Sequence, residues 1–420
     1  MAAPPPAPLA AAEPPAPITR PERSLAPDVA RGAMLLLIAL ANVGFYRYGT
    51  ALDPYQNPVD ASAADRVAMF VEQLLVAERS RPMFAVLYGF GLAMMASRMR
   101  SRGATAGAVR AVLARRSTWL VVLGVLHGVL LFAGDIIAAY GATGFVALAL
   151  VQASDRALRR WLWGSLAYVA VGMTTFLAAA TLLTDDATAA GAPLMGRTYA
   201  QSMVTGLVAE VGGIAMVLVL LGFVPLVVVG VMLQRAGWLT APGQHLPGLR
   251  RVFRSGMAVN VVSALPVALI ALGVWQPGPG GMFAASYATL LGGMYAGIGY
   301  VCGFALLAHR RQGRGHRGAT GALAALGERS LTGYLGQSFL LAPLLSPWGL
   351  GLGEGLHPLA SFGLAAAAWL LTLAAATLMA ARGVRGPFEA LLRRLTYGAA
   401  RTPAVPAGMP AAPPPAALAG

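Results

Sequence analysis

RRSTWLVVLGVLHGVLLFAGDIIAAYGATG, residues Arg115–Gly144, is the stretch whose reading decides the fold. It is two apolar runs joined by a Gly-Asp turn. Runs of this kind read as membrane-crossing helices, so the stretch is an apolar hairpin. His127 lies well inside the first run, and Asp135 stands where the second begins. Arg115 and Arg116 stand at the entrance. A titratable group inside a membrane segment is costly, and is a functional candidate by default. The rest of the chain reads as a scaffold of apolar helices around this hairpin.

Working outward, the same pattern recurs. The 420 residues are 57% hydrophobic and 11% charged, with a mean hydropathy of +0.66. A soluble domain carries roughly a quarter charged residues. The expected fold is all-α, a polytopic transmembrane helical bundle of about ten spans with both termini cytoplasmic. Regular alternation of apolar and polar residues is absent, which speaks against a membrane β-barrel. The spans are expected near residues 33–45, 82–97, 117–133, 136–151, 161–183, 207–233, 257–275, 287–308, 330–345 and 359–381.

The net charge of +15 does not point to nucleic acid, because the basic residues lie between apolar runs and not on one face. Every basic residue is Arg, and all except Arg47, Arg66, Arg79, Arg81 and Arg197 fall in segments read as cytoplasmic. That bias is the positive-inside rule, and it places the basic connectors and both termini on the cytoplasmic side of the membrane. Residues 1–26 and 399–420 are Ala/Pro-rich and read as disordered cytoplasmic tails around a membrane domain, 27–398. Between the first two spans, scattered acids and the amphipathic piece 64–77 read as an external loop carrying an interfacial helix. The lone Cys302 excludes an internal disulfide and a cysteine-based metal cluster, and reads as a small buried residue.

Four patches resemble the bacterial membrane proteins of the domain-of-unknown-function 418, or YeiB-like, family. They are DVARG at Asp28–Gly32, FAVLYGFG at Phe84–Gly91, and RR…GVLHG…GDIIAAYG between Arg115 and Gly141. The fourth is a C-terminal block within about residues 235–398, with GERSLTGYLGQS at Gly327–Ser338 and RGPFEALLRRLTYG at Arg385–Gly398. Pro27 and Ala30 depart from the usual leucines of the first patch, and Gly333 replaces the common Asn of the fourth. The resemblance implies a polytopic inner-membrane protein. It also implies a distant likeness to transmembrane acyltransferases, which is analogy and not proof of activity.

The candidate catalytic residues are His127 and Asp135. Counting helical rise, His127 lies roughly 15 Å from the inner end of its span and about 10 Å from the outer end. An acyltransferase needs a base to deprotonate its acceptor, and His is the usual one. The bland alternative is a structural histidine bonded to a neighbouring helix. Asp135 would orient His127 as in a triad, or cap the fourth span, or do both.

The candidate substrate-binding residues are Asp28, Arg31, Arg115, Arg116, Tyr140, Tyr334 and Gln337. Asp28 and Arg31 are spaced to pair on a helix, and a surface ion pair is their bland reading. Arg115 and Arg116 would suit the phosphates of a coenzyme A thioester donor, or serve only as topological anchors. Tyr334 and Gln337 share a helix face and by default make interhelical hydrogen bonds. Glu328, Arg329, Glu210 and Asn42 read as interfacial or lesser candidates. No motif for a bound cofactor or metal is present.

The leading expectation is an acyltransferase-like enzyme acting on a cell-envelope or lipid-linked hydroxyl or amine, with the lipid bilayer as its standing partner. The competing one is a transporter or permease with a His/Asp proton relay. No internal repeat supports the latter. The oligomeric state is left open.

Overall fold

The computed structural model describes residues 24–183, 196–311 and 318–398. Most of both expected tails, the acidic loop after the fifth span and the centre of the HRRQGRGHRG connector lie outside the described residues. Among the described residues the chain is helical, without a strand, and carries two isolated bridges, Tyr48–Glu354 and Leu52–Pro58.

Helix α1 (Ala26–Val43) opens with Pro27 in its first turn, where a missing N–H costs nothing. It runs into a 3-10 turn, Gly44–Tyr46. The expected tail boundary therefore falls inside α1, and Ser24 already hydrogen-bonds the Leu239 carbonyl (2.5 Å). The chain continues through α2 (Ala63–Leu75), α3 (Ser80–Ser101), α4 (Ala106–Leu130), α5 (Ile137–Leu150) and α6 (Asp155–Leu183). There follow α7 (Tyr199–Leu220), α8 (Val224–Arg235), α9 (Leu246–Leu272) and α10 (Pro279–Arg310). The last are α11 (Gly318–Gly327), α12 (Ser330–Leu345), α13 (Pro358–Ala381) and α14 (Pro387–Tyr397). Among the described residues, five segments are long and apolar enough to cross a membrane: Ala26–Tyr46, Tyr199–Leu220, Pro242–Leu272, Pro279–Arg310 and Pro358–Ala381.

Three local features differ from the sequence expectation. The run expected as one span over 207–233 is two helices, α7 and α8, broken where Leu221 takes a left-handed φ of 50°. Pro225 explains the break, because it has no N–H for the Leu221 carbonyl. The basic connector after α3 is mostly helix: Thr105 caps α4, so Arg115 and Arg116 stand mid-helix. The short α11 was not anticipated. It lies antiparallel to the start of α1, with Gly32 against Leu323 and Gly327 against the Asp28 carbonyl; a Cβ on either glycine would overlap backbone.

The loops sort into two ends. At one end Tyr48 donates to the Gly351 carbonyl (3.0 Å) and Tyr55 to that of Pro277 (2.9 Å), while Tyr46 stacks on Phe132. At the other, Arg235 pairs with Asp155 (2.7 Å) and Arg329 donates to the Val384 carbonyl (2.6 Å). Helix α2 is strapped to the first end. Arg79, fully buried, donates to Asn260 Oδ1 on α9 (2.6 Å), and Asn260 donates to the Leu74 carbonyl (2.9 Å). Val67, Val71 and Leu75 stay exposed, giving α2 the apolar outer face of an interfacial helix.

The hairpin is held by close approach. Gly124 abuts the Ala138 backbone and Gly141 that of Val121, so α4 and α5 meet almost backbone to backbone. Helix α5 has 14 residues. At helical rise it is about 21 Å long, short of the roughly 30 Å of a bilayer's hydrocarbon core. The hairpin turn is therefore recessed, not at the surface. Irregular backbone at such depth is tolerated where it is buried in protein or lines a cavity.

Candidate functional site

A cavity of about 500 Å³ fills the room above the recessed turn. Ala133–Ile136 form part of its wall, and Ala209, Glu210 and Gly213 of α7 form another part. Asn42 near the end of α1, Arg47 after the 3-10 turn, Glu72 of α2, and Glu78 and Arg81 before and within α3 belong to its polar lining, with Gln56, Asn57, Gln73 and Ser80.

Asp135 organises the floor of this site. Its Oδ1 lies 2.7 Å from His127 Nδ1 and accepts the Tyr334 hydroxyl at 3.2 Å. Its Oδ2 accepts the Ala138 N–H at 2.9 Å. One carboxylate thus orients the histidine and caps the first turn of α5 at once. An ionised carboxylate only accepts, so Nδ1 carries the imidazole proton and Nε2 is left with its lone pair. Nε2 is buried and has no hydrogen-bond partner, and His127 as a whole is 4% exposed. The imidazole stands behind Asp135, with the Tyr334 ring at 5.1 Å and the Phe132 ring at 6.4 Å.

Glu210 is the group the sequence reading underrated. It is 3% exposed, where the sequence reading let it reach the interface. Its carboxyl sits on Gly128, where a Cβ would overlap it, and lies beside the Asp135 backbone. The available signal was its isolation, since it is the only charged residue in α7.

On the outer-loop wall, burial pushes the Glu72 carboxyl up to about 7, against the opposing influence of Arg79 and Arg47. Arg81 pairs with Glu78. These side chains read as loop decoration in the sequence, because the fold alone brings the loop over the hairpin.

The other candidate residues lie elsewhere. Tyr140 is buried in an aromatic column between Phe84 (4.3 Å) and Phe223 (4.5 Å), and its hydroxyl donates to the Arg81 carbonyl (2.6 Å). Gln337 donates to the Leu35 carbonyl of α1 (3.3 Å). Arg31 pairs with Asp28 (3.0 Å) and donates to the Leu87 carbonyl (3.3 Å). Asp28 is 2% exposed, so this pair is not a surface one. Arg115 is exposed and Arg116 half-buried, and Arg116 is about 17 Å of helix from His127. None of Asp28, Arg31, Arg115 or Arg116 lines the cavity. Glu328 and Arg329 form an ion pair where α12 begins. Among the described residues no group of three or more His, Cys, Asp or Glu could hold a metal ion.

Residues 233–399 match the family described as protein of unknown function DUF418. The chain is 27% identical over 403 residues to uncharacterized protein YeiB of Escherichia coli strain K12, covering 90% of this chain and 97% of that protein. It is 22% identical over 407 residues to uncharacterized protein YxaH of Bacillus subtilis strain 168, covering 88% of this chain and 93% of that protein. The resemblance read from the four patches agrees with these similarities to DUF418 and to the YeiB and YxaH proteins.

Proposed function

We propose that this YeiB-like membrane protein is an acyltransferase-like enzyme of the bacterial inner membrane, with His127 as its base and Asp135 as the group that orients it. One observation carries the reading: a buried imidazole bonded through Nδ1 to a carboxylate, with Nε2 unengaged. In acyl transfer, Nε2 takes the proton of the acceptor hydroxyl or amine as that atom attacks the acyl carbon. The bond to the leaving group then breaks, and Nε2 returns the proton to it. Asp135 stabilises the imidazolium between the two steps. Tyr334 holds the same carboxylate oxygen and fixes its orientation.

The cavity supports an acceptor, drawn from the envelope or linked to lipid, arriving from the end that carries the outer loops. Phe132 packs beside His127 and must yield for an acceptor to reach Nε2. A coenzyme A thioester held by Arg115 and Arg116 finds no support in the cavity lining, and Arg47 and Arg81 are better placed for an anionic part of the donor. The topology in this proposal has ten crossings, with α7 and α8 together making one.

The test compares envelope glycans and lipids of a deletion strain carrying wild type, His127→Ala or Asp135→Asn at equal expression. An acylated species should vanish in both variants. An unchanged acylation pattern refutes the mechanism. Accumulation of a substrate in proteoliposomes without covalent change would instead establish the transporter reading, which Glu210 in the cavity wall beside Asp135 also suits.

A further inference from the structure

The turn that carries Asp135 is held by side chains and not by its own backbone. The amides of Leu131 and Phe132 bond the His127 carbonyl, and the ladder of α5 resumes where Tyr140 bonds the Ile136 carbonyl. Among the described residues no amide from Ala133 to Ile136 bonds a backbone carbonyl. Two of these amides donate to side chains instead: Ile136 to the Tyr334 hydroxyl and Asp135 to the Glu210 carboxyl. Tyr334 grips the turn twice, since it also donates to Asp135 Oδ1. Glu210 grips it in another way. From α7 its carboxyl meets the Asp135 amide, and it fills the notch left by the missing side chain of Gly128, the residue next to His127. One group thus touches both arms of the hairpin, beside each member of the His127–Asp135 pair.

Helix α7 is arranged around this contact. Of its 22 residues only Gly206, Glu210 and Leu220 are buried. Gly206 and Glu210 are one turn apart and share a face. A Cβ on Gly206 would overlap the Gly128 carbonyl, so its absence lets that face close on the hairpin. The rest of this part of α7 is apolar and outward, with Val204, Leu207, Val208 and Val211 exposed. Packing alone would be served by an apolar residue at 210, because burying a carboxyl is costly unless it is hydrogen-bonded. The bond it makes is to the amide of the residue that orients the imidazole.

We infer that Glu210 is a positioning residue for the His127–Asp135 pair. Through the Asp135 N–H and the Gly128 notch it fixes where the Asp135 carboxylate stands, and so keeps the imidazole proton on Nδ1. The contact needs an oxygen acceptor of the right reach, not a charge. The inference rests on the acid–base reading of that pair.

The full chain, in nanodiscs with nitrogen-15-labelled histidine, is compared as wild type, Glu210→Gln, Glu210→Asp and Glu210→Leu, with His127→Gln to assign the His127 signals. Protonated and bare imidazole nitrogens have well-separated shifts, so the tautomer is read directly. The wild type should show Nδ1 protonated and Nε2 bare. Glu210→Leu keeps bulk without an acceptor. Its two nitrogens should draw together as the tautomers exchange, and its acylated product in the deletion strain should fall about tenfold, the worth of one hydrogen bond. Glu210→Gln, whose amide oxygen accepts at the same reach, should restore both signals. Glu210→Asp falls one methylene short and should resemble Glu210→Leu, and it serves if the Leu variant does not fold. The wild-type nitrogen pattern persisting in Glu210→Leu or Glu210→Asp, or its loss in folded Glu210→Gln, would overturn the assignment. Thermal stability does not decide, because a packing role would lower it as well. The nitrogen pattern needs no turnover: unchanged acylation in His127→Ala sinks the enzyme reading, while the pattern alone still decides the positioning.

Discussion

Removing the Asp135 carboxylate leaves three donors without their acceptor. These are the His127 Nδ1–H at 2.7 Å, the Tyr334 hydroxyl at 3.2 Å and the Ala138 N–H at 2.9 Å. A buried donor left unsatisfied costs about 1–3 kcal/mol. The Ala138 N–H belongs to a helix end beside the cavity, where water can replace the carboxylate, so its share is small. His127 and Tyr334 are both buried. Asp135→Ala should therefore lower the unfolding free energy by about 2–4 kcal/mol, and Tyr334→Phe by about 1 kcal/mol. The sharper quantity is the coupling of His127 to Asp135. A charge-assisted bond at this distance predicts about 1.5–3 kcal/mol in a double-mutant cycle of His127→Ala and Asp135→Ala. Reversible unfolding in mixed detergent micelles measures all four species of the cycle. A coupling below about 0.5 kcal/mol would show that the contact does not hold the imidazole, and the acid–base reading would fall with it.

Two other perturbations test the ends of the bundle. The Glu72 carboxyl, raised by burial from 4.5 to about 7, keeps a proton in the folded chain that the unfolded chain has lost. Its contribution to stability is thus full below about pH 4.5 and is lost as pH rises through about 7. Stability measured between those values should fall with pH in the wild type and less so in Glu72→Gln; parallel profiles would remove Glu72 from the account. Glu389 of α14 accepts the N–H groups of Leu331 (2.7 Å) and Thr332 (3.1 Å) and the Thr332 hydroxyl (2.5 Å). It caps α12 from another helix, so Glu389→Ala should cost about 1–2 kcal/mol of unfolding free energy, against nearly nothing for Arg394→Ala on the exposed face.

Helix existence was legible because apolar runs of membrane length have few alternatives. The His127–Asp135 hairpin was legible because both residues interrupt such runs. Boundaries inside the apolar runs were not. Nothing in hydropathy separates α7 from α8; Pro225 alone marks the break, and proline is tolerated within α9 and α12 at Pro266 and Pro343. The cavity was illegible for another reason. Arg47, Glu72, Glu78 and Arg81 belong to a loop whose return over the hairpin is fixed by long-range contacts such as Arg79 to Asn260 and Tyr55 to Pro277. The four motif patches, separate in sequence, are largely contacts in space. Arg31 donates to the Leu87 carbonyl in FAVLYGFG, Gln337 of LTGYLGQS to that of Leu35, and Tyr334 to Asp135 of the hairpin. Glu389 ties the two halves of the fourth patch to each other.

These contacts bear on the side from which chemistry is supplied. The Asp28–Arg31 pair and Gly32 are used up in seating α1 against α3 and α11, which leaves them a packing role at one end. The cavity and its carboxylates face the other end. Under the positive-inside rule the cavity end is external, and a donor confined to the cytoplasm cannot reach it directly. Orientation therefore decides between donor classes, and it can be measured. Cys302 is the only cysteine and is fully buried, so a second cysteine reports alone. Gln56→Cys, exposed in the loop at the cavity, should react in intact cells with a membrane-impermeant maleimide, while Arg385→Cys at the opposite end should react only after lysis. The reverse pattern would place the cavity in the cytoplasm, restore a coenzyme A thioester as the natural donor, and require the arginine bias to be explained by something other than topology.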